Sequence, residues 1–428
     1  MHPRVRAVLA SEQGFGRGRR SPAADRVRPG DRAGAGVKGM GEAGRGGFAR
    51  DPSTWAAYGL VGYFAFMETV LGPAMPFLRA ELNLGYAAAS LHFSAFALGA
   101  VLLGFLGDRI VGRWGRHAGL WGGAAGMAAG AMILISSPAV WGTVPAAFVM
   151  GLCGALLLVT SEALLSDRHG EWKAVALSES NITASACAIA APLLVGAFAA
   201  SGFGWRFAFV APVAALAVLA FLSYSKPMGG PSRAGEDEGR PRARDLPPRY
   251  WALWTLVALG VASEWCVAYW GADFLAGGTN LARSGAAAAL TVFFAAMLAG
   301  RVAGSRLARV LPPTALLAAT LCVALAGFPL FWLSAGTTLT LAGLLLIGLG
   351  IGSVYPLGVS AALAAAPDNT DAAAARLAVA GGGAVLLAPF ALGALADRVG
   401  IGAAFGIVPP MLLAAVSLAL ISGRRKAP

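Results

Sequence analysis

From Trp55 onward the chain is a succession of twelve apolar stretches, each of roughly 18–27 residues, the length that crosses a bilayer as a helix. They run Trp55–Leu78, Ala87–Gly107, Ala118–Ile135, Thr143–Leu165, Ala174–Ala200, Phe207–Tyr224, Tyr250–Leu275, Gly285–Ala303, Thr314–Leu333, Leu339–Ala364, Leu377–Ala396 and Ala403–Ile421. Lipid offers no partner to a backbone N–H or C=O, so a spanning segment must satisfy its own. Composition agrees: charged residues make up 13% of the chain, against about 25% in soluble proteins. A chain so poor in charge cannot cover a water-facing surface, which excludes a soluble enzyme. The expected fold class is an all-α polytopic membrane protein with twelve transmembrane helices.

The net charge of +12 invites a nucleic-acid reading, but its distribution opposes one. Twelve spans put both termini on one side. That side then holds 29 of the 33 basic residues, and the other holds four: Arg79, Arg206, Arg283 and Arg398. The positive-inside rule places both termini in the cytoplasm, with the cytoplasmic (plasma) membrane as the expected location. Residues 1–50, rich in Gly and Arg with no apolar core, read as a disordered cytoplasmic tail, and Met40 is an alternative start. Residues 51–224 form the first group of six spans. Residues 225–249 are a polar cytoplasmic linker, residues 250–422 the second group, and 423–428 a short cytoplasmic tail. The cysteines Cys153, Cys187, Cys266 and Cys322 lack metal-ligand spacing and read as packing residues. No metal, cofactor or nucleotide-binding loop is expected.

The two groups of six are internally related. At an offset of 197 residues Phe77-Leu78 matches Phe274-Leu275, Asn83-Leu84 matches Asn280-Leu281, and Arg109 matches Arg306. Gly151-Leu152 likewise matches Gly348-Leu349, Pro192 and Gly196 match Pro389 and Gly393, and Pro212 matches Pro409. Two pseudo-symmetric six-helix bundles in parallel repeat form a transporter architecture, with substrate held at their interface near the midplane.

The connection after the second span reads Gly104-Phe-Leu106-Gly-Asp108-Arg109, followed by Gly112-Arg113 and Gly115-Arg116. It resembles the signature loop of the major facilitator superfamily, G-x-L-A-D-R-x-G-R-[KR]. Gly104, Leu106, Asp108 and Arg109 match in place, and the later Gly-Arg falls at either Gly112-Arg113 or Gly115-Arg116. Span four ending at Asp167-Arg168, Pro192 and Gly196 in span five, and Gly348-Leu-Gly350-Ile-Gly352 with Tyr355-Pro356 in span ten fit the same family. The string Gly393-Ala-Leu395-Ala-Asp397-Arg398-Val-Gly400 also fits the signature, but its position makes it a helix end and an external turn. The span-five antiporter signature is half matched, Ala191 standing before Pro192, and the span-four arginine motif is absent. The resemblance implies two six-helix bundles, alternating access, and a signature Asp that meets the start of span eleven when the cytoplasmic side closes. Asp108 would then face Arg376, while Glu179 at the start of span five would meet Arg301 at the end of span eight. Arg113, Arg116 and Asp167 complete the expected gating set.

Carboxyls at the centre of a span cost roughly 2.5–3.5 kcal/mol on insertion scales and are functional candidates by default. Glu68 in span one and Glu264 in span seven are such groups and nearly correspond in the repeat. Glu68 is the expected proton-coupling carboxyl, because burial favours its neutral form and alternating hydration can load and release the proton. Glu264 is a second protonation site or an anchor for a polar or cationic substrate group. The bland alternative has both glutamates only hydrogen-bonding across helices. Glu162 either lines the cavity or pairs with a signature-loop arginine, and His92 is a proton relay or a packing residue. Trp265, Trp270 and Tyr355 are candidate cavity linings or ordinary packing residues, and Pro73 is expected to bend span one.

The function implied is a secondary transporter that moves a small organic solute, coupled to protons, with a lean toward efflux. Proton-coupled uptake of a sugar or organic acid is the alternative within the class. A membrane-embedded enzyme or a transceptor are the rivals from other classes. The expected partners are the solute, protons and the lipid bilayer, with no nucleic acid and a monomeric state.

Overall fold

The computed structural model describes residues 48–225, 246–334 and 336–424. The expectations for the tail 1–47, linker residues 226–245 and the end 425–428 lie outside the described residues. The described residues from 50 onward belong to one compact unit, to which all that follows refers.

The helices are α1 (Pro52–Thr69), α2 (Leu71–Leu82), α3 (Tyr86–Ser136), α4 (Val140–His169), α5 (Lys173–Ala200), α6 (Phe207–Ser223) and α7 (Pro248–Gly278). They continue as α8 (Arg283–Leu307), α9 (Pro313–Leu333), α10 (Thr337–Ile351), α11 (Val354–Ala364), α12 (Thr370–Val399), α13 (Ile401–Ala404) and α14 (Val408–Arg424). No strand occurs among the described residues. Each of the twelve apolar stretches falls within this helical set, but the spans are not twelve separate rods. Among the described residues nine helices are long and apolar enough to cross a membrane, or ten with the bent pair α1–α2 counted as one. The difference has local causes. A single 3₁₀ turn, Gly170–Trp172, joins α4 to α5 with no coil residue between them, so the two count as one stretch although Gly170 takes a positive φ. Helix α6, at 17 residues, is short for a span. Helix α3 holds spans two and three, and the backbone breaks helical geometry at Gly115 (φ 81°), a conformation that favours glycine.

Two breaks have proline as their cause. Helices α1 and α2 are bent by 40° at Val70, just after Glu68. Pro73 has no N–H to return to the carbonyl of Thr69, which frees the ladder at that turn. Between α10 and α11 Pro356 similarly leaves the carbonyl of Gly352 without its helical donor, and the Arg301 Nε–H donates to it at 3.2 Å.

The internal repeat reappears in the packing. A Cβ at Gly151 would lie 1.9 Å from the carbonyl oxygen of Phe96, and one at Gly348 would lie 2.5 Å from that of Phe293. Both glycines and both carbonyls are related by the sequence offset of 197, so α4 meets α3 as α10 meets α8. Close backbone approach through glycine is the membrane route to tight helix pairing, because hydrophobic burial gives helices no reason to associate within lipid.

Candidate functional site

A cavity of about 220 Å³ lies between α1, α4, α5, α7 and α8. Glu68, Glu162, Glu264, Trp265 and Arg301 all line it, with Asn181 and Ser185 from α5. Glu68, just before the bend, and Glu264, at the centre of α7, line this one cavity together with Arg301. Among the described residues neither glutamate accepts a hydrogen bond or joins an ion pair, so the cross-helix bonding weighed as the bland alternative is not present. Glu162 lies in the cavity wall and is exposed, as are Asn181 and Arg301. It makes no ion pair with a signature-loop arginine among the described residues. Tyr355, expected as a cavity lining, is half exposed and is not among the side chains that line this cavity.

A second, larger cavity of about 720 Å³ separates α3 from α12. Its walls are apolar and mostly small, including Ala97, Ala100, Gly104, Ala378, Gly382 and Gly383, and Glu68 is its one ionisable lining residue among those described. Glu68 therefore borders both spaces.

The hydrogen bonds that join the two halves, among the described residues, gather at one face. Arg79 at the end of α2 pairs with Asp273 near the end of α7 at 2.5 Å, and its guanidinium also lies 3.5 Å from the ring centre of Tyr86. Asp397, near the end of α12, accepts from the backbone N–H groups of Tyr86 (2.6 Å) and Ala87 (2.9 Å) at the start of α3. Ser90 donates to the carbonyl of Pro389 and Ser94 to that of Leu386. Phe93 stacks on Tyr269 with ring centres 4.0 Å apart and meets Trp270 edge-on at 5.3 Å, forming an aromatic plug across the halves. A Cβ at Gly72 would come within 2.2 Å of the Ala268 carbonyl oxygen, so α2 and α7 touch backbone to backbone here.

The polar contacts at the opposite face stay within a half. Arg50 and the Tyr58 hydroxyl both donate to Glu179. Asp51 caps α1 through the Thr54 N–H (2.8 Å) and pairs with Arg168. Burial opposes ionisation of Asp51, but the Thr54 hydrogen bonds and Arg168 together hold its carboxyl below the usual Asp range. Arg116 pairs with Asp167. Gly115, not Gly112, takes a positive φ, and Arg113 is exposed. The expected Glu179–Arg301 contact is not formed in this conformation: Glu179 holds Arg50, and Arg301 faces the cavity. Arg376 lies over Trp251 at 5.8 Å, while the Asp108 side chain lies outside the described residues.

The geometry selects the packing alternative at two residues and adds a contact at a third. Trp270 does not line the cavity, being fully buried with its indole N–H donating to the Pro389 carbonyl at 2.8 Å. His92 is buried with both ring nitrogens engaged, Nδ1 with the Ala89 carbonyl and Nε2 with the Thr143 hydroxyl, which is a packing role. Asp397 does stand at a helix end, as its position implied, but its carboxylate bonds across to α3.

The architecture has recognisable relatives. A family model described as Major Facilitator Superfamily matches residues 57–375. The chain belongs to the major facilitator superfamily. Solved members of similar fold include a bacterial homologue of the human lysosomal transporter Spinster, in an inward-facing and occupied conformation (TM-score 0.70, 15% identity, covering 89% of this chain and 100% of that one). The nucleoside transporter NupG (0.70, 11%, 87% and 100%) and the peptide transporter POT in complex with sulfate (0.69, 13%, 89% and 96%) are similar to the same extent. At these identities the likeness carries the fold alone. Comparison with curated proteins finds no match. Within this superfamily fold, the sequence missed Arg79 and Asp273. Their signal was a lone carboxyl near the end of span seven with a lone arginine at the corresponding end of span one.

Proposed function

We propose that this superfamily member is a proton-coupled secondary transporter moving a small organic solute by alternating access, with a lean toward efflux. The observation that carries the reading is the meeting of Glu68 and Glu264, from pseudo-equivalent helices of the two halves, at one cavity. A carboxyl bordering a space reached alternately from two sides can take a proton on one and release it on the other. We assign residues 51–224 and 250–422 as the two rocking bundles. The distribution of basic residues supports cytoplasmic termini, which puts the Arg79–Asp273 face outward, and the plasma membrane is the location we assign. The conformation is then inward-open. Asp108 with Arg376, and Glu179 with Arg301, are the contacts that would form when the inner side closes, with Glu179 exchanging Arg50 for Arg301. A monomer suffices, because both halves of the cavity come from one chain.

The test is proton movement in proteoliposomes carrying a pH-sensitive dye, with pooled sugars, organic acids, amino acids and organic cations added in turn. Wild type is expected to show a pool-specific proton flux that Glu68→Gln abolishes. A flux out of the vesicle as solute enters identifies antiport, and a flux in the same direction identifies symport. Solute movement with no proton flux in wild type would remove the coupling role of Glu68.

A further inference from the structure

Two cavities of opposite character share one lining side chain. The smaller holds three carboxyls, Glu68, Glu162 and Glu264, against a single guanidinium, Arg301. Arg301 is also partly committed, since its Nε–H is given to the Gly352 carbonyl. The larger cavity, between α3 and α12, has Glu68 as its only ionisable lining residue among those described. The rest of its wall is alanine, glycine, valine, leucine and phenylalanine, and Phe105 and Val379 in it are exposed. A polar solute would leave that wall unused, and an anion would meet three carboxyls. An apolar neutral solute would leave the carboxyls without a counter-charge.

Resting on the transporter reading above, we propose that the substrate is an amphiphilic organic cation. Its protonated amine sits among Glu68, Glu264 and Glu162, and its apolar body lies in the cleft between α3 and α12. Charge complementarity selects the head, and removal of hydrocarbon from water selects the tail. The arrangement also supplies the coupling. A proton and an ammonium compete for Glu68, so each displaces the other, which makes exchange of the two the natural cycle. Trp265 lines the same wall, and a tryptophan ring attracts a cation.

The experiment is calorimetric binding to the purified full chain, using three probes: 4-phenylbutylamine, 4-phenylbutyrate with the same skeleton and opposite charge, and methylamine with the head alone. The proposal expects 4-phenylbutylamine to bind at least about tenfold more tightly than either of the others, the scale of one charge-assisted hydrogen bond or a few buried methylenes. Glu68→Gln is expected to remove that preference for the amine over the acid. Gly383→Trp, which fills the cleft, is expected to weaken 4-phenylbutylamine by a similar factor while Gly383→Ala does not. Gel filtration and thermal unfolding check that each variant folds. Equal or tighter binding of 4-phenylbutyrate would overturn the cationic assignment. Binding of 4-phenylbutylamine no tighter than methylamine, or undiminished in a folded Gly383→Trp, would overturn the placement of the tail. Absence of 4-phenylbutylamine binding, alongside proton flux with another pool, would remove the substrate class and leave the transporter reading standing. The expected binding pattern with no counterflow of 4-phenylbutylamine in proteoliposomes would do the reverse.

Discussion

The seam between α3 and α12 and the seam between α5 and α8 are the same contact under the internal repeat, yet they are built differently. Both use a glycine at the offset of 197. A Cβ on Gly196 of α5 would lie 2.5 Å from the Ser284 carbonyl oxygen at the start of α8, and one on Gly393 of α12 would lie 1.9 Å from the Ser90 hydroxyl near the start of α3. The close backbone approach is therefore common to both. The polar contacts are not. Asp397, Ser90 and Ser94 join α12 to α3, whereas no side-chain hydrogen bond joins α5 to α8 among the described residues. At the position where α12 carries Asp397, α5 has Ala200. Packing by small residues holds two helices at a fixed distance while letting them slide, but a carboxylate on two N–H groups fixes one register. Opening this face then requires breaking the α3–α12 seam and the Arg79–Asp273 pair between them, with the α5–α8 seam following as a slide.

The largest test of that asymmetry is at the central pair. Arg79→Ala leaves Asp273, only 7% exposed, without its hydrogen-bonded cation, with Arg283 in the same pocket making no ion pair to it. Breaking one side of a buried pair costs about 3–5 kcal/mol, and here the cost falls on the closed state of this face alone. Spin labels at positions 80 and 277, in a background freed of the four cysteines, are expected to move from one short distance to a longer one. The exchange of both residues, Arg79→Asp with Asp273→Arg, should recover the short distance. A closed distance unchanged in Arg79→Ala would show that the aromatic plug of Phe93, Tyr269 and Trp270 suffices alone.

An intermediate effect belongs to Asp397. Its exposed carboxylate at the α3 N-terminus combines a cap with a favourable charge near the helix dipole, together worth about 1–2 kcal/mol. Asp397→Ala is expected to broaden the label distance across α3 and α12, while Asp397→Asn, which keeps one acceptor oxygen, loses about half of that. Labels across α5 and α8 should hardly respond to either. Equal broadening of both seams would mean that the halves move as one rigid lever and the polar asymmetry has no mechanical role.

How much of this was legible in sequence follows from the range of each interaction. The helices were legible because lipid forces backbone bonds to close within about four residues. Glu68 and Glu264 were legible because a carboxyl in an apolar run is conspicuous without any knowledge of its partner, and their meeting at one cavity followed from the repeat. The helix-end position of Asp397 is legible but its contact is not, because its donors, Tyr86 and Ala87, lie 311 and 310 residues away and are backbone groups with no side-chain signature. The Arg79–Asp273 pair spans 194 residues, near the repeat offset but not on it. The signature string at Gly104–Arg116 and its copy at Gly393–Gly400 show the same limit. The string records an acid and an arginine on a helix shortly before a glycine break, and only topology says which face it occupies.

The smallest effect is expected at the opposite face, where the ion pairs stay inside one half. Asp51 caps α1 and holds Arg168 at the end of α4, both within the first bundle. Asp51→Ala should therefore lower stability by about 1 kcal/mol, the usual worth of an N-cap, and should leave the label distances between 80 and 277 unchanged. The sign of its pH dependence is fixed by the direction of the shift. A carboxyl held below the usual Asp range in the folded chain stabilises it above that range, and the contribution fades as pH falls through the lower folded value. Thermal unfolding of wild type and Asp51→Ala should accordingly differ at neutral pH and converge in acid. A change in the label distances would mean that bonds within a half also set which face is open, and the confinement of the closing contacts to the Arg79 face would lose its meaning.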